Sequence, residues 1–207
     1  MIAPDILETF TPLERLYAPQ IIGLMGYGGA GKSECARRLR DVHGFATPHI
    51  KSPIVVMMAA LLREMGFDEA LIPRIIDGDL KRDPIPGIGL TSTEFQQRLG
   101  KEFLRDCIRP TFLSDLWCRK VDALMAEGRP VALESTRFPD EAAAIVARGG
   151  ILVEVRRPGH EPVNAHSSEA IPAPPDVVIE NSGTVADLHR MVDDLVARHC
   201  GAGTLMI

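Results

Sequence analysis

The segment Gly26-Tyr27-Gly28-Gly29-Ala30-Gly31-Lys32-Ser33 limits what this chain can fold into more than any other stretch. It satisfies the pattern GxxxxGK[ST], and its flanks agree with it. Before it stands Gln20 to Met25 (QIIGLM), a short apolar run that reads as a buried parallel strand. After it, Lys32 to Val42 follows helical spacing, with Cys35, Ala36, Leu39 and Val42 expected inward and Arg37, Arg38 and Arg40 outward. A glycine-rich turn between strand and helix points successive backbone N–H groups into one cavity, beside the positive end of the helix. Such a cavity suits a polyphosphate. Gly26, Gly28, Gly29, Ala30, Gly31, Lys32, Ser33 and Glu34 are therefore the candidate ATP-binding residues. Lys32 would reach the β and γ phosphates and act in catalysis, and Ser33 would hold Mg²⁺ through its hydroxyl.

Further along, a helix is expected over Ile54 to Met65, with Pro53 near its first turn. Residues 67–91, rich in Asp, Pro and Gly, read as a substrate-side loop with at most one short helix. Thr93 to Cys107 and Ser114 to Glu127 read as two helices separated by Pro110, with Ser114 as N-cap. Pro130 to Glu134, Ile151 to Val155 and Asp176 to Glu180 are further strand candidates, and Asp140 to Arg148 and Thr184 to His199 further helices. Strands alternating with helices imply a parallel sheet with right-handed crossovers. The expected class is α/β: a three-layer P-loop NTPase fold with a parallel sheet, helices on both faces and a lid segment. Within it, residues 1–19 form an N-terminal extension, 20–200 the kinase domain and 201–207 a tail. Residues 52–128 form its acceptor-side helical region, and the irregular stretch 156–175 its lid.

A length of 207 residues suits one such core with an insertion. The net charge of −5 gives no footprint for a nucleic-acid backbone, so the nucleotides expected as partners are small molecules. No apolar run approaches the roughly 18 residues that a membrane span needs, and no signal-like segment opens the chain. Cys35, Cys107, Cys118 and Cys200 are widely spaced and read as free thiols. The expected location is cytoplasmic. A homodimer is left open.

Downstream motifs resemble those of the deoxynucleoside monophosphate kinases of phages and prophages. They are Glu134-Ser135-Thr136-Arg137-Phe138-Pro139-Asp140-Glu141, Gly149-Gly150, Arg156-Arg157-Pro158, His166-Ser167-Ser168-Glu169 and Asn181-Ser182-Gly183-Thr184. The family pattern is approximately D-x-R-F-x-N-E, then G-G, R-P, H-x-S-E and N-x-G-T. Upstream, Gln97-Arg98-Leu99-Gly100-Lys101-Glu102-Phe103-Leu104-Arg105 is similar to its Q-R-L-G-T-E-x-x-R. The resemblance spans about residue 20 to 196 with the motifs in the same order. The chain departs from it at Glu134 (usually Asp), Asp140 (often Asn), Lys101 (Thr) and Thr93 (commonly Arg). What it implies is a kinase that transfers the γ-phosphoryl group of ATP, with Mg²⁺, to a (deoxy)nucleoside monophosphate. Dephospho-coenzyme A as acceptor, or a nucleotide-hydrolysing switch, are the alternatives.

Phosphoryl transfer asks for positioning and positive charge rather than covalent help. Arg137 follows a strand whose C-terminal end should open onto the active crevice, and is assigned to catalysis and the acceptor phosphate. Glu134 ends that strand as an acidic residue that orients Mg²⁺ through water, holds Arg137, or forms a buried ion pair. Gln97 and Arg105, eight apart on one expected helix, would share a face and read the acceptor's base and phosphate. Lys51 and Lys81 are further acceptor-phosphate candidates. Arg156 (catalytic) and Arg157 (ATP-binding) open the lid. Asn181 and Gly183 shape the adenine pocket, or else an ordinary turn before Thr184.

Overall fold

The computed structural model describes residues 20–160 and 171–200, which divide into two compact units. The expectations placed on residues 1–19, on 201–207, and on His166, Ser167, Ser168 and Glu169 lie outside the described residues.

The first unit holds a four-stranded sheet in the order β2-β1-β3-β4, from Ile21–Met25 (β1), Val131–Leu133 (β2), Ile151–Arg156 (β3) and Val177–Glu180 (β4). Every pairing is parallel, with Gly23 opposite Leu133 on one side and Leu152 on the other. All of β1 is buried, as a strand covered on both faces must be. Its alternate residues serve two cores. Ile22 and Leu24 pack with α1 (Lys32–His43) and the closing helix Val185–His199, through Leu39, Leu188, Val192 and Leu195. On the opposite face, a Cβ at Gly23 would lie 2.5 Å from Ile145, which belongs to the helix Pro139–Val146. Three layers follow: helices, parallel sheet, helix. This is the α/β P-loop arrangement expected from the sequence.

The strands are found close to their expected places, but Val42, in the last turn of α1, is 53% exposed rather than inward. Ala46 also adds a bridge to the outer edge of β2, donating to Pro130 O and accepting from Ala132 N. No periodicity marks a strand one residue long.

The second unit, Thr47–Gly128, is helical. It comprises α2 (Ser52–Glu64), α3 (Leu71–Ile76), α4 (Ser92–Gln97) and α5 (Phe112–Ala126). The one short helix allowed for within residues 67–91 is α3, and with Ile85 it closes a core of its own with Met58 and Leu62. Thr91 caps α4 through a reciprocal pairing with Glu94. Beyond Gln97 the backbone widens into π-helical winding over Arg98–Ile108. There Lys101 pairs with Asp106 at 2.9 Å, a spacing of five residues that an ordinary α-helix turns to different faces. Ser114 is not an N-cap: α5 starts at Phe112, Thr111 holds the cap position, and the Ser114 hydroxyl donates back to Thr111 O. Trp117 is 1% exposed and its Nε1 donates to Pro48 O at 2.9 Å. Among the described residues no helix is long and apolar enough to cross a membrane.

Across the first unit, α1 and the helix Val185–His199 (α7, with Pro139–Val146 as α6) are tied by charge. Asp193 accepts two bonds from the Arg38 guanidinium, and its Oδ1 lies 2.8 Å from His43 Nε2. Arg38 and His43 hold its carboxyl well below its ordinary 3.8, at about 2. A depressed carboxyl stabilises the fold above its ordinary value, and that contribution is lost as pH falls through the folded value. Asp193→Asn should therefore lower the urea midpoint at pH 7, and its difference from wild type should shrink between about pH 4 and pH 2. An acid titration of both proteins followed by circular dichroism checks this.

Candidate functional site

The loop Gly26–Gly31 joins the C-terminal end of β1 to α1, where an open parallel sheet binds its ligands. Two glycines are dictated by geometry. Gly26 has φ +132°, and a Cβ there would stand 2.3 Å from Val155 O on the neighbouring strand. Gly31 has φ +109°, and its Cβ would stand 2.6 Å from Asn181 Nδ2. Gly31 is also the N-cap of α1 and offers no capping side chain. The first N–H groups of the helix, which have no intrahelical acceptor, therefore remain for a ligand at its positive end.

Lys32 folds back over the loop and donates to Gly26 O at 2.8 Å and Tyr27 O at 2.7 Å. Ser33 is exposed in the first turn. Among the described residues, no cluster of three or more His, Cys, Asp and Glu could hold a metal ion. A hard cation such as Mg²⁺ commonly takes few protein ligands and fills its remaining positions with phosphate oxygens and water, and the exposed Ser33 hydroxyl in the first turn of α1 fits that habit. Glu34 points elsewhere than expected: it pairs with Arg37 and lies 2.5 Å from His189 Nε2 on α7. Those partners, Arg37 foremost, pull its carboxyl down to about 2. It serves the helix pair rather than the loop. Cys35, one residue on, is buried, and burial pushes its thiol up to about 12, so it is inert.

Arg137 stands beside this loop for a reason visible in the backbone. Thr136 N donates to Leu24 O at 2.8 Å, which ties the segment after β2 to the last turn of β1. Glu141, 2% exposed, then accepts from the backbone N–H of Arg137 at 2.8 Å and of Phe138 at 3.3 Å. Its carboxylate grips the backbone, and the exposed guanidinium is left to bond Ser135 Oγ through Nε at 2.9 Å. Glu134 forms the bend between β2 and this segment.

Arg156 does not open a loop. It is the last residue of β3, in register with Glu180, and its guanidinium is held by Glu154 at 2.8 Å and Glu180 at 3.6 Å. The sequence reading ended the strand one residue early, because a terminal Arg on an edge of charge breaks the apolar run without breaking the strand. Arg157 is the residue that leaves the sheet, and its Nη1 donates to Gly29 O at 3.3 Å. His160, which the sequence did not single out, brings Nδ1 within 3.3 Å of Gly28 O. A lone histidine in an aperiodic stretch carries no signal of its own. Asn181 is buried, with Nδ2 2.8 Å from Ala30 O, so its amide meets the loop rather than an open pocket. Gly183 precedes the α7 capping box of Thr184 and Asp187, and a Cβ there would lie 2.7 Å from Asp187 Oδ2. Its place is the turn.

In the helical unit, Lys51 pairs with Asp77 at 2.7 Å, and Lys81 and Gln97 are exposed. Arg105 does not share an exposed face with Gln97: it is 9% exposed and its Nη1 donates to Pro110 O at 2.8 Å. The face assignment assumed 3.6 residues per turn, and the π winding between the two removes that assumption.

No protein-family model matches the chain. A protein of Acanthamoeba polyphaga mimivirus named "Putative deoxynucleotide monophosphate kinase" is 28% identical over 190 residues, covering 83% of this chain and 93% of that protein. It bears the name of the family that the motifs resemble. Among solved structures, a dephospho-CoA kinase from Campylobacter jejuni is 12% identical and covers 86% of this chain and 96% of its own, with a TM-score of 0.49. TT1252 from Thermus thermophilus is 18% identical with 87% and 98% covered and a TM-score of 0.48.

Gly26→Ala should be poorly tolerated. It places a methyl against a strand carbonyl at positive φ, and overpacking of this kind costs about 1–3 kcal/mol. A chemical denaturation curve should show that loss, whereas Lys32→Ala should leave the midpoint close to wild type and abolish ATP binding.

Proposed function

We propose that this chain is an ATP-dependent kinase that transfers the γ-phosphoryl group to a deoxynucleoside monophosphate, giving the diphosphate. The observation that carries the reading is that an intact phosphate loop and the Arg137 segment leave the C-terminal ends of the neighbouring strands β1 and β2, with Thr136 N bonded to Leu24 O. The motif order shared with the deoxynucleoside monophosphate kinases, and the name of the viral relative, support the choice of acceptor.

The loop's N–H groups and the α1 N-terminus would bind the donor phosphates. Lys32, once it leaves Gly26 O and Tyr27 O, would neutralise charge on the β and γ phosphates. Ser33 would be the protein ligand of Mg²⁺, with Glu134 acting through water, and the ion would supply charge neutralisation at the phosphates. Arg137 presents planar donors to the acceptor phosphate, and Arg157 adds positive charge at the rim. The helical unit is the proposed acceptor side, with the exposed Gln97 and Lys81 as contacts. Ribonucleotides are a further acceptor class within the same reading.

A coupled assay with ATP, Mg²⁺ and a panel of ribo- and deoxyribonucleoside monophosphates plus dephospho-coenzyme A tests this. Turnover of at least one deoxynucleoside monophosphate is expected; turnover of dephospho-coenzyme A alone, or release of phosphate without any acceptor, sinks the reading. In the same assay Arg137→Ala should lower kcat/KM for the acceptor about 100-fold, on the scale of a lost charge-assisted contact, and leave the KM for ATP within about twofold. Arg137→Lys should not restore it, because a point charge does not replace a bidentate fork.

A further inference from the structure

We propose that Asn181 is a positioning residue that holds the phosphate loop in its binding shape through the Ala30 carbonyl, whatever base the nucleotide carries. The inference rests on the donor half of the function proposed above. A trans peptide is planar, with its C=O and N–H pointing in opposite directions. Fixing the oxygen of Ala30 therefore fixes the direction of the N–H of Gly31, one of the donors that the loop offers to phosphate.

The structure builds this contact from three sides. Asn181 follows β4 and is anchored to the sheet, its backbone N donating to Arg156 O at 2.7 Å. Its side chain is 8% exposed and sets Nδ2 2.8 Å from Ala30 O. A Cβ on Gly31 would stand 2.6 Å from that nitrogen, so the glycine makes room for the amide as well as for the backbone turn. The contacts on the crown of the loop are different in kind. Arg157 reaches Gly29 O from an exposed position and His160 reaches Gly28 O from a half-buried one, both at 3.3 Å. The bond at the foot of the loop, next to Lys32, is shorter, at 2.8 Å. Because a carbonyl oxygen can only accept, the contact orients the Asn181 amide with its nitrogen toward the loop and engages one of its two N–H donors there.

The test separates loop positioning from base recognition by titrating one ligand that has no base. Wild type, Asn181→Asp and Asn181→Ala are titrated calorimetrically with Mg²⁺·ATP, Mg²⁺·GTP and Mg²⁺·tripolyphosphate, without any acceptor. Asn181→Asp sets oxygen against oxygen, and all three ligands should weaken by a similar factor, on the order of tenfold or more, with Asn181→Ala losing less. Thermal melts serve as the folding control, and should Asn181→Asp not fold, Asn181→Ala carries the same comparison. A loss confined to ATP, or to the two nucleotides, makes Asn181 a base contact and overturns the proposal, as does wild-type binding by both variants. Wild-type protein that binds none of the three overturns the donor reading and this inference together. Since no acceptor is present, failure to phosphorylate any monophosphate in the kinase assay removes the acceptor assignment alone.

Discussion

The uncapped start of α1 is the feature on which the first unit is arranged. A helix leaves its first N–H groups without partners, and a side chain at the N-cap would ordinarily take one of them. Here the N-cap is Gly31, with a left-handed backbone and no side chain to offer. The helix end therefore keeps both its open donors and its partial positive charge, which is a standing demand for an anion. Lys32 does not answer that demand: it is itself a cation, and it curls onto the carbonyls of Gly26 and Tyr27, the opposite polarity of the same loop.

Keeping such an end in one shape requires support from elsewhere in the fold. α1 is clamped to α7 by Arg38, His43 and Asp193 at one end and by Glu34 and His189 at the other. These are partly exposed pairs, and pairs of that kind add little each; the apolar contact of Leu39 with Leu188, Val192 and Leu195 beneath them does most of the holding. The charged pairs fix which way the two helices face. β1 is buried along its whole length and sets where the loop begins, while Thr136 bonded to Leu24 sets where Arg137 stands. The same strand end thus positions a lysine from one connection and an arginine from another.

The helical unit shows how far a period argument reaches. Its apolar pattern located α2, α5 and the continuous helical run from α4 through Ile108 to within a few residues, because amphipathic helices must turn their apolar stripes to a core. It did not reveal the π winding of Arg98–Ile108, since the same residues satisfy either winding until neighbouring elements pack on them. Arg105, which an α-helical winding would place with Gln97, is buried there and donates from Nη1 to Pro110 O. The core that α3 makes with Ile85 was hidden in a stretch full of Asp, Pro and Gly, where composition suggested a loop.

By itself the sequence determined the strand, loop and helix that carry Gly26 to Ser33, because glycine spacing, an adjacent apolar run and a following helical period are local facts that need no partner. It also determined the parallel α/β order, which follows from the alternation of strands and helices. The tertiary structure decided the rest: that Glu34 faces α7, that Arg156 belongs to the sheet between Glu154 and Glu180, and that Asn181 bonds the loop. Each of these joins residues distant in the chain or turns on where a strand stops. Which partner a polar side chain takes depends on which backbone carbonyl or carboxylate the packed sheet and helices bring within hydrogen-bond reach, and no spacing along the chain encodes that distance.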